Sequence, residues 1–218
     1  AQYSAVFESM LPSLYPVLAE RGLSDAYNDG RSVMSQALAA RWMPRPDEES
    51  DRKGWRIWTD LRGGYSNSDV FSMDEEDGAL LVGMDQQMGD AVLGFYLGGQ
   101  DVESDTGADI SYEGEGMRYG IYGSLAVAEA GYLSLVAGGG QQDYDSKRPL
   151  PFGDSATASP EASDWFTRLE AGWRIGTELT LTPFLGVQYS KSTLEAFTEE
   201  SDSVYALAMD ESEVERSE

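Results

Sequence analysis

The chain has 218 residues, a formal net charge of −24, and neither cysteine nor histidine. These absences exclude a disulfide framework, a thiolate zinc site, a cysteine nucleophile and a catalytic triad with an imidazole base. The sequence as a whole leads us to expect no enzyme activity, catalytic residue, metal ligand or cofactor. The 39 acidic residues against 15 basic ones argue against nucleic acid as a partner, because few cations could replace phosphate counterions. No apolar run reaches about 18 residues, which excludes a transmembrane helix but not membrane strands of about ten residues.

The first 54 residues are predicted to be helical and then to form an exposed connector. Residues 3–10 carry apolar side chains at helical spacing, and Pro12 and Pro16 are expected to end that helix. A second helix is expected from Ser24 until the prolines at 44 and 46. This region, residues 1–54, is predicted to be a helical linker that is separate from the region that follows.

From Trp55 onward the pattern changes to strands and turns. The stretch TELTLTPFLGVQYSK, residues 177–191, alternates apolar and mostly polar positions with a period of two, and Pro183 within it is expected to mark a bulge. Short turns are expected near 88–90, 127–130 and 175–178, and long polar loops between them, which is typical of an up-and-down antiparallel sheet. About eight strands are predicted, at 55–65, 79–87, 91–99, 117–125, 131–139, 165–173, 177–191 and, more weakly, 203–209.

The two strand faces differ in chemistry, and either face could be the packed one. In a soluble β-sandwich the charged face would simply be the wet exterior. A transmembrane barrel is favoured because arginines recur on the strand faces while the loops are acidic, aromatic residues lie near strand ends, and glycines occur inside strands. Leu181, Leu185 and Val187 are then expected to face lipid. The lumen is expected to be lined by Arg56, Asp60, Arg62, Arg118, Arg168, Glu170 and Arg174.

Five motifs together resemble the translocator β-domain of bacterial autotransporters (type V secretion) over residues 55–218. They are WTDLRGGYSNSD, GMDQQMGDAVLGFYLGGQ, MRYGIYGSLA, WFTRLEAGWR and LTPFLGVQYS. The segment from Tyr3 to Trp42 resembles the linker and helix that precede this barrel. The resemblance implies a twelve-stranded outer-membrane barrel with the helix in its pore. It also implies contact with outer-membrane lipid, the barrel-assembly machinery and the protein's own passenger domain.

The chain departs from that family pattern in strand number and in its end. About eight strands of a probable twelve are recognisable, and the terminal SEVERSE lacks the aromatic last strand of the family. The expectation is therefore a C-terminally truncated fragment of the barrel. ESEVERSE is read as a loop and the start of a ninth strand.

Three further motifs are weighed and set aside. Ser155 lies in a GDS sequence like that of serine esterases, but it is expected in a loop and has no histidine to activate it. DEEDG at 74–78 does not fit the EF-hand spacing. Asn28 resembles the asparagine at which some family members release their passenger, but Asp29 replaces the second asparagine of that pair, so cleavage is not expected here.

The function expected from these patterns is anchoring and export of an N-terminal passenger at the bacterial outer membrane. An outer-membrane pore or structural barrel without a passenger is the first alternative. A soluble acidic β-sandwich that binds ligands is the second.

Overall fold

A computed structural model of the chain describes residues 2–42, 54–68, 73–106, 111–127, 130–150, 154–175, 181–201 and 206–218. One helix, α1 (Gln2–Trp42), precedes the strands. The strands are β1 (Trp55–Ser68), β2 (Met73–Met88), β3 (Ala91–Thr106), β4 (Ser111–Val127), β5 (Gly131–Pro149), β6 (Ser155–Ala158), β7 (Glu161–Trp173), β8 (Phe184–Leu194), β9 (Phe197–Thr198), β10 (Ala208–Met209) and β11 (Ser212–Ser217).

Eight strands form one antiparallel path in the order β1-β2-β3-β4-β5-β7-β8-β11, and β6 pairs with β5 at its side. Neighbours along the path are also neighbours in the chain except where short strands are passed over, which confirms the up-and-down topology. The sheet curves around α1, which contacts all eight strands of the path. It is not closed, since β1 and β11 each have one paired neighbour among the described strands.

The helix is continuous where the sequence predicted a break. Pro12 and Pro16 both lie within α1, so the expectation of two helices was wrong. Each proline removes one backbone donor, but local propensity is a weak prior that the rest of the helix and its tertiary contacts can override. From Leu18 onward α1 packs on the sheet, and this docking favours a single long element.

The strands extend well into segments that were expected to be long loops. β2 and β3 have 16 residues each, and β5 has 19. The segment 74–78 therefore belongs to strand β2, and Ser155 begins β6, so both loop assignments were wrong. The polar composition of these segments led to the prediction of loops. Strands that pair through their backbones can nevertheless carry exposed polar side chains, so polar composition alone does not exclude a strand.

The end of the chain also differs from the prediction. The eighth strand of the sheet is β11, whose six residues pair with β8, rather than the segment at 203–209. In that segment only β10 is described as a strand, and it forms a two-stranded ribbon with β9 outside the main sheet. Pro183 lies just before β8 and accepts a hydrogen bond from the Trp173 amide, so it marks the strand start rather than a bulge.

The core lies between α1 and the inner face of the sheet, defined here as the face that contacts the helix. One buried cluster contains Ala26, Val33, Met34 and Ala37 of the helix together with aromatic residues of the strands. Several inner-face glycines allow these rings to lie flat against the wall. A Cβ on Gly120, for example, would lie 2.5 Å from Cε1 of Tyr96 and 2.6 Å from the Ala137 carbonyl oxygen.

Candidate functional site

The candidate site is the interface between α1 and the inner face of the sheet. Its side chains come from strand positions that alternate with the outward-facing apolar positions. The backbone groups of the strands around the helix are already hydrogen-bonded within the sheet. The sheet therefore makes its polar contacts with the helix through side chains. The following contacts run from the short-turn end of the sheet to the end where the strands are long.

At the short-turn end, Arg56 links the helix to two strands. Its Nε donates to both carboxylate oxygens of Asp85, at 3.1 and 3.0 Å, and one guanidinium nitrogen donates to the Gln36 carbonyl at 2.7 Å. Asp85 is directly opposite Arg56 in the β1–β2 register and is fully buried. The cation therefore interacts with a carbonyl in the C-terminal quarter of α1.

In the middle of the helix, Asp29 is held by arginines from two strands, and Arg118 extends the network to a further strand. Arg62 donates to one oxygen of Asp29, and Arg118 Nε donates to the other at 2.8 Å. Arg118 also makes a bidentate pair with Asp164, whose second contact is 2.9 Å. Arg118 has no exposed surface, and Asp29 is 1% exposed. We call Asp29, Arg62, Arg118 and Asp164 the Asp29 clamp. Fully buried charges persist only when they are paired in this way.

Nearer the long-strand end, a second acidic residue of the helix is held by amides. Asp25 accepts hydrogen bonds from Gln142 Nε2 at 2.9 Å and Gln100 Nε2 at 3.1 Å. Arg21, one turn earlier in the helix, forms an ion pair with Glu75 of β2. The helix is thus held by polar contacts spread along its described part, among them those at positions 21, 25, 29 and 36.

The other expected lumen residues have more local contacts. Asp60 accepts a hydrogen bond from Ser32 of the helix and lies 3.2 Å from Arg62 Nε. Arg168 pairs at 3.0 Å with Glu170, two residues along the same strand, rather than with the helix. Arg174 lies one residue past β7, at the short-turn end, and is exposed.

Sequence reasoning missed the partners of the arginines. Asp85 lies directly opposite Arg56 in the β1–β2 register, but a long loop was expected between these strands, so no predicted turn fixed that pairing. Asp164 and Gln142 were missed because their positions near the helix depend on the curvature of the whole sheet.

Along the part of α1 whose side chains are described, one side is exposed. It consists of Glu20, Ser24, Asn28, Arg31 and Ser35, spaced three or four residues apart. Asn28, the candidate cleavage position, therefore lies on the surface of the helix, beside the buried Asp29.

The outer face of the sheet carries a continuous apolar band. Leu181, Leu185 and Val187 are 60%, 78% and 56% exposed. On β4 the outward apolar positions run from Met117 to Val127, close to the nine to eleven residues that a tilted membrane strand needs. Such a large exposed apolar surface is not expected on a soluble monomer.

Above this band the same face becomes acidic. The exposed residues Glu76, Glu103, Glu113 and Asp145 are directly opposite one another on β2, β3, β4 and β5. Asp101, Glu115, Asp143 and Glu161 form a second such row nearer the band. Like charges in direct opposition require water and salt around them, so these rows mark where the apolar band ends.

The described residues contain no group of three or more acidic side chains arranged to hold a metal ion. The one helix that the structure describes, α1, lacks any stretch long and apolar enough to cross a membrane.

The comparisons with known proteins agree with this geometry. The family profile described as "Autotransporter beta-domain" matches residues 57–217, which is most of the chain. The chain belongs to the autotransporter β-domain family. Its predicted fold class, an antiparallel outer-membrane β-barrel with an N-terminal helix, is confirmed.

Two solved autotransporter domains have similar folds. The translocator domain of NalP from Neisseria meningitidis matches with a TM-score of 0.75 and 16% identity, over 93% of this chain and 68% of that one. The β-domain of the Bordetella autotransporter BrkA matches with a TM-score of 0.55 and 17% identity, over 75% of this chain and 68% of that one. A search of curated proteins finds no match by sequence.

Membership of the family places this autotransporter β-domain in the bacterial outer membrane. Domains of this family serve transport and anchoring rather than catalysis, and they are linked to a passenger.

Proposed function

We propose that this domain anchors in the outer membrane and exports the segment that precedes α1 to the cell surface. The observation that carries the proposal is the Asp29 clamp, in which the wall of the sheet buries charges of a polar helix. A helix of this polarity can reside at membrane depth only inside a protein-lined or water-lined cavity. An export domain needs such an inner wall to hold the end of its passenger.

The orientation of the helix supports outward export. Its C-terminal part lies at the short-turn end, where Arg56 contacts Gln36, and its earlier turns lie among the long strands, where Arg21 contacts Glu75. Short turns face the periplasm in outer-membrane barrels and long connections face outward. The chain that precedes α1 therefore leaves through the outer end.

The surroundings of the sheet follow from the same proposal. Outer-membrane lipid lies against Leu181, Leu185 and Val187, and the acidic rows stand in water outside the membrane. The barrel-assembly machinery inserts the sheet. We further propose that the passenger is not released at Asn28, since its neighbour Asp29 is engaged in the clamp.

The test is surface exposure of an epitope placed directly before Ala1 in the protein as its host produces it. Antibody should label intact cells, and external protease should remove the epitope without lysis. Deletion of residues 55–218 is the control and should abolish labelling. An epitope that stays protected in intact cells, while the strands remain in salt-washed outer membranes, would contradict export and favour a pore or a structural barrel.

A further inference from the structure

We infer that α1 stops at one axial position in the sheet, and that two different devices prevent movement in the two directions. The Asp29 clamp opposes movement outward by one turn, and the glycines at 22 and 30 oppose movement inward by one turn. This inference rests on the proposed export function only for the meaning of outward and inward. The position itself is a property of the helix and the wall.

A helix can change register most easily by one turn, about 5.4 Å, because residue i+4 or i−4 then takes the place of residue i. Intermediate positions would rotate the buried face away from the wall. The alternatives to the observed position are therefore two discrete ones, and each can be examined by replacing every helix residue with the one four positions away.

Movement outward is opposed by charge. Val33 would take the place of Asp29, and no carboxylate of the helix would then face Arg118, which has no exposed surface. Arg62 would lose the same partner. Arg118 would keep Asp164 but lose its other buried carboxylate, and removal of one partner from a buried ion-pair network is strongly destabilising. The exported chain therefore stops when Asp29 arrives at the two arginines.

Movement inward keeps a carboxylate at the two arginines, but it moves Asp29 into the place of Val33, which has no exposed surface. Asp25 would take the place of Asp29 and could pair with the same two arginines. The two arginines alone therefore do not distinguish this position from the observed one, and with valine at position 29 the burial of a second carboxylate no longer opposes it.

The glycines supply the missing distinction. A Cβ at Gly22 would lie 3.2 Å from Cβ of Ser192 and 3.5 Å from Cβ of Asp164, and a Cβ at Gly30 would lie 2.7 Å from Gln188 Oε1. Movement inward by one turn would put the isobutyl group of Leu18 in the place of Gly22. The neighbouring wall is already in contact, so it has no room for four additional carbon atoms.

The outward position is also blocked sterically, since Met34 would take the place of Gly30 beside Phe166. Only the observed register combines a carboxylate at the arginines with glycine at both close contacts. Gly22 and Gly30 are accordingly positioning residues: besides allowing the helix to pack closely on the sheet, they determine its axial position.

The test uses the absence of native cysteine to report the register by disulfide formation. Ser32 contacts Asp60 in the observed position, so the pair S32C/D60C reports it. After inward movement residue 28 would occupy that place, so N28C/D60C reports the inward position. Both pairs are oxidised in the full protein in outer membranes, and the fraction of each disulfide is measured.

The decisive variant is L18G/D29V. L18G removes the side chain that would collide with Ser192 after inward movement, and D29V leaves Arg118 without its helix partner, so inward movement becomes both possible and favourable. The ratio of the 28–60 disulfide to the 32–60 disulfide should rise at least ~10-fold, since pairing a buried charge is strongly favoured. The single variant D29V, which retains Leu18, should keep the original ratio within about threefold, because the glycine contact still blocks movement.

Two controls separate this result from other causes. The variant S24G/N28V introduces the same two residue types, glycine and valine, at exposed positions of the helix. In this variant the fraction of the 32–60 disulfide should be unchanged. Surface labelling of the epitope before Ala1 reports export independently. A ratio that stays unchanged in L18G/D29V, or that rises equally in D29V alone, would overturn the two-device account even if export is intact.

Discussion

Removal of Arg118 is expected to be the most destabilising single change in the interface. Its guanidinium has no exposed surface and pairs with Asp29 and Asp164, whose side chains are each 2% exposed. The substitution Arg118→Met keeps much of the volume and removes the charge. Asp29 retains Arg62, while Asp164 loses the two hydrogen bonds that the structure shows for its carboxylate.

The expected loss is about 3–5 kcal/mol, the usual cost of breaking a buried ion pair from one side. With a urea m value of about 3 kcal/mol/M, at the upper end of the usual range, the midpoint of unfolding should fall by about 1–2 M. The assay is urea unfolding of the full protein in lipid vesicles, followed by intrinsic fluorescence. Electrophoretic mobility in detergent gels, compared between unheated and heated samples, gives a second readout of the folded sheet.

The matched control is Arg216→Met on β11. Arg216 pairs with Glu218 at 3.8 Å, and both side chains are nearly half exposed, so this loss should be below about 1 kcal/mol. The double variant R118M/D164L should recover part of the loss, because it also removes the uncompensated carboxylate. Equal midpoints for the two single variants would refute the view that buried charges hold the helix to the wall.

Three further substitutions test the faces of the sheet. Gly120→Ala should destabilise by about 1–3 kcal/mol in vesicle unfolding, because its methyl group would overlap the ring of Tyr96. Val187→Arg should cost about 2–4 kcal/mol in the same assay, since it places a charge near the middle of the lipid-facing band. Glu113→Gln should stabilise by about 0.4–2 kcal/mol at low salt, because it relieves repulsion from Glu103 and Asp145, and the gain should vanish near 1 M salt.

Each of these has a matched control on the same sheet. Gly99→Ala should be nearly neutral, since the nearest atom to its added methyl group lies 3.8 Å away. Thr193→Arg faces outward at the acidic edge of the band, opposite Glu213, and should cost little. Glu213→Gln removes an attractive partner of Lys191 and should not stabilise. If a control changes the free energy of unfolding as much as its test variant does, the sheet face or acidic row of that residue has been assigned incorrectly.

The alternation of faces was predictable because it depends on local sequence. A period of two in Trp55 to Tyr65 or in 177–191 identifies two strand faces without any knowledge of the fold. The turn at Gly89, the described glycine with a positive φ of 61°, identifies the β2–β3 hairpin and thus the register in which Asp85 lies opposite Gly94.

Strand ends and long-range partners were not predictable in the same way. Acidic segments such as DEEDG look like loops, and only their pairing across β2 and β3 reveals them as strands. The contact of Asp29 with Arg118 joins residues 89 positions apart, and it depends on how the curved sheet places the helix. No local pattern distinguishes Arg118, which contacts the helix, from Arg168, which pairs within its own strand.

The central claim is that lipid lies against the outward leucines and that the opposite face surrounds the helix. Single cysteines at Leu185 and at Gln188, each carrying a nitroxide, test it directly in lipid vesicles. The label at 185 should be accessible to oxygen and shielded from a water-soluble nickel complex, and the label at 188 should be strongly immobilised. A label at 185 that is immobilised within packed protein, or freely accessible to the nickel complex, would contradict the account.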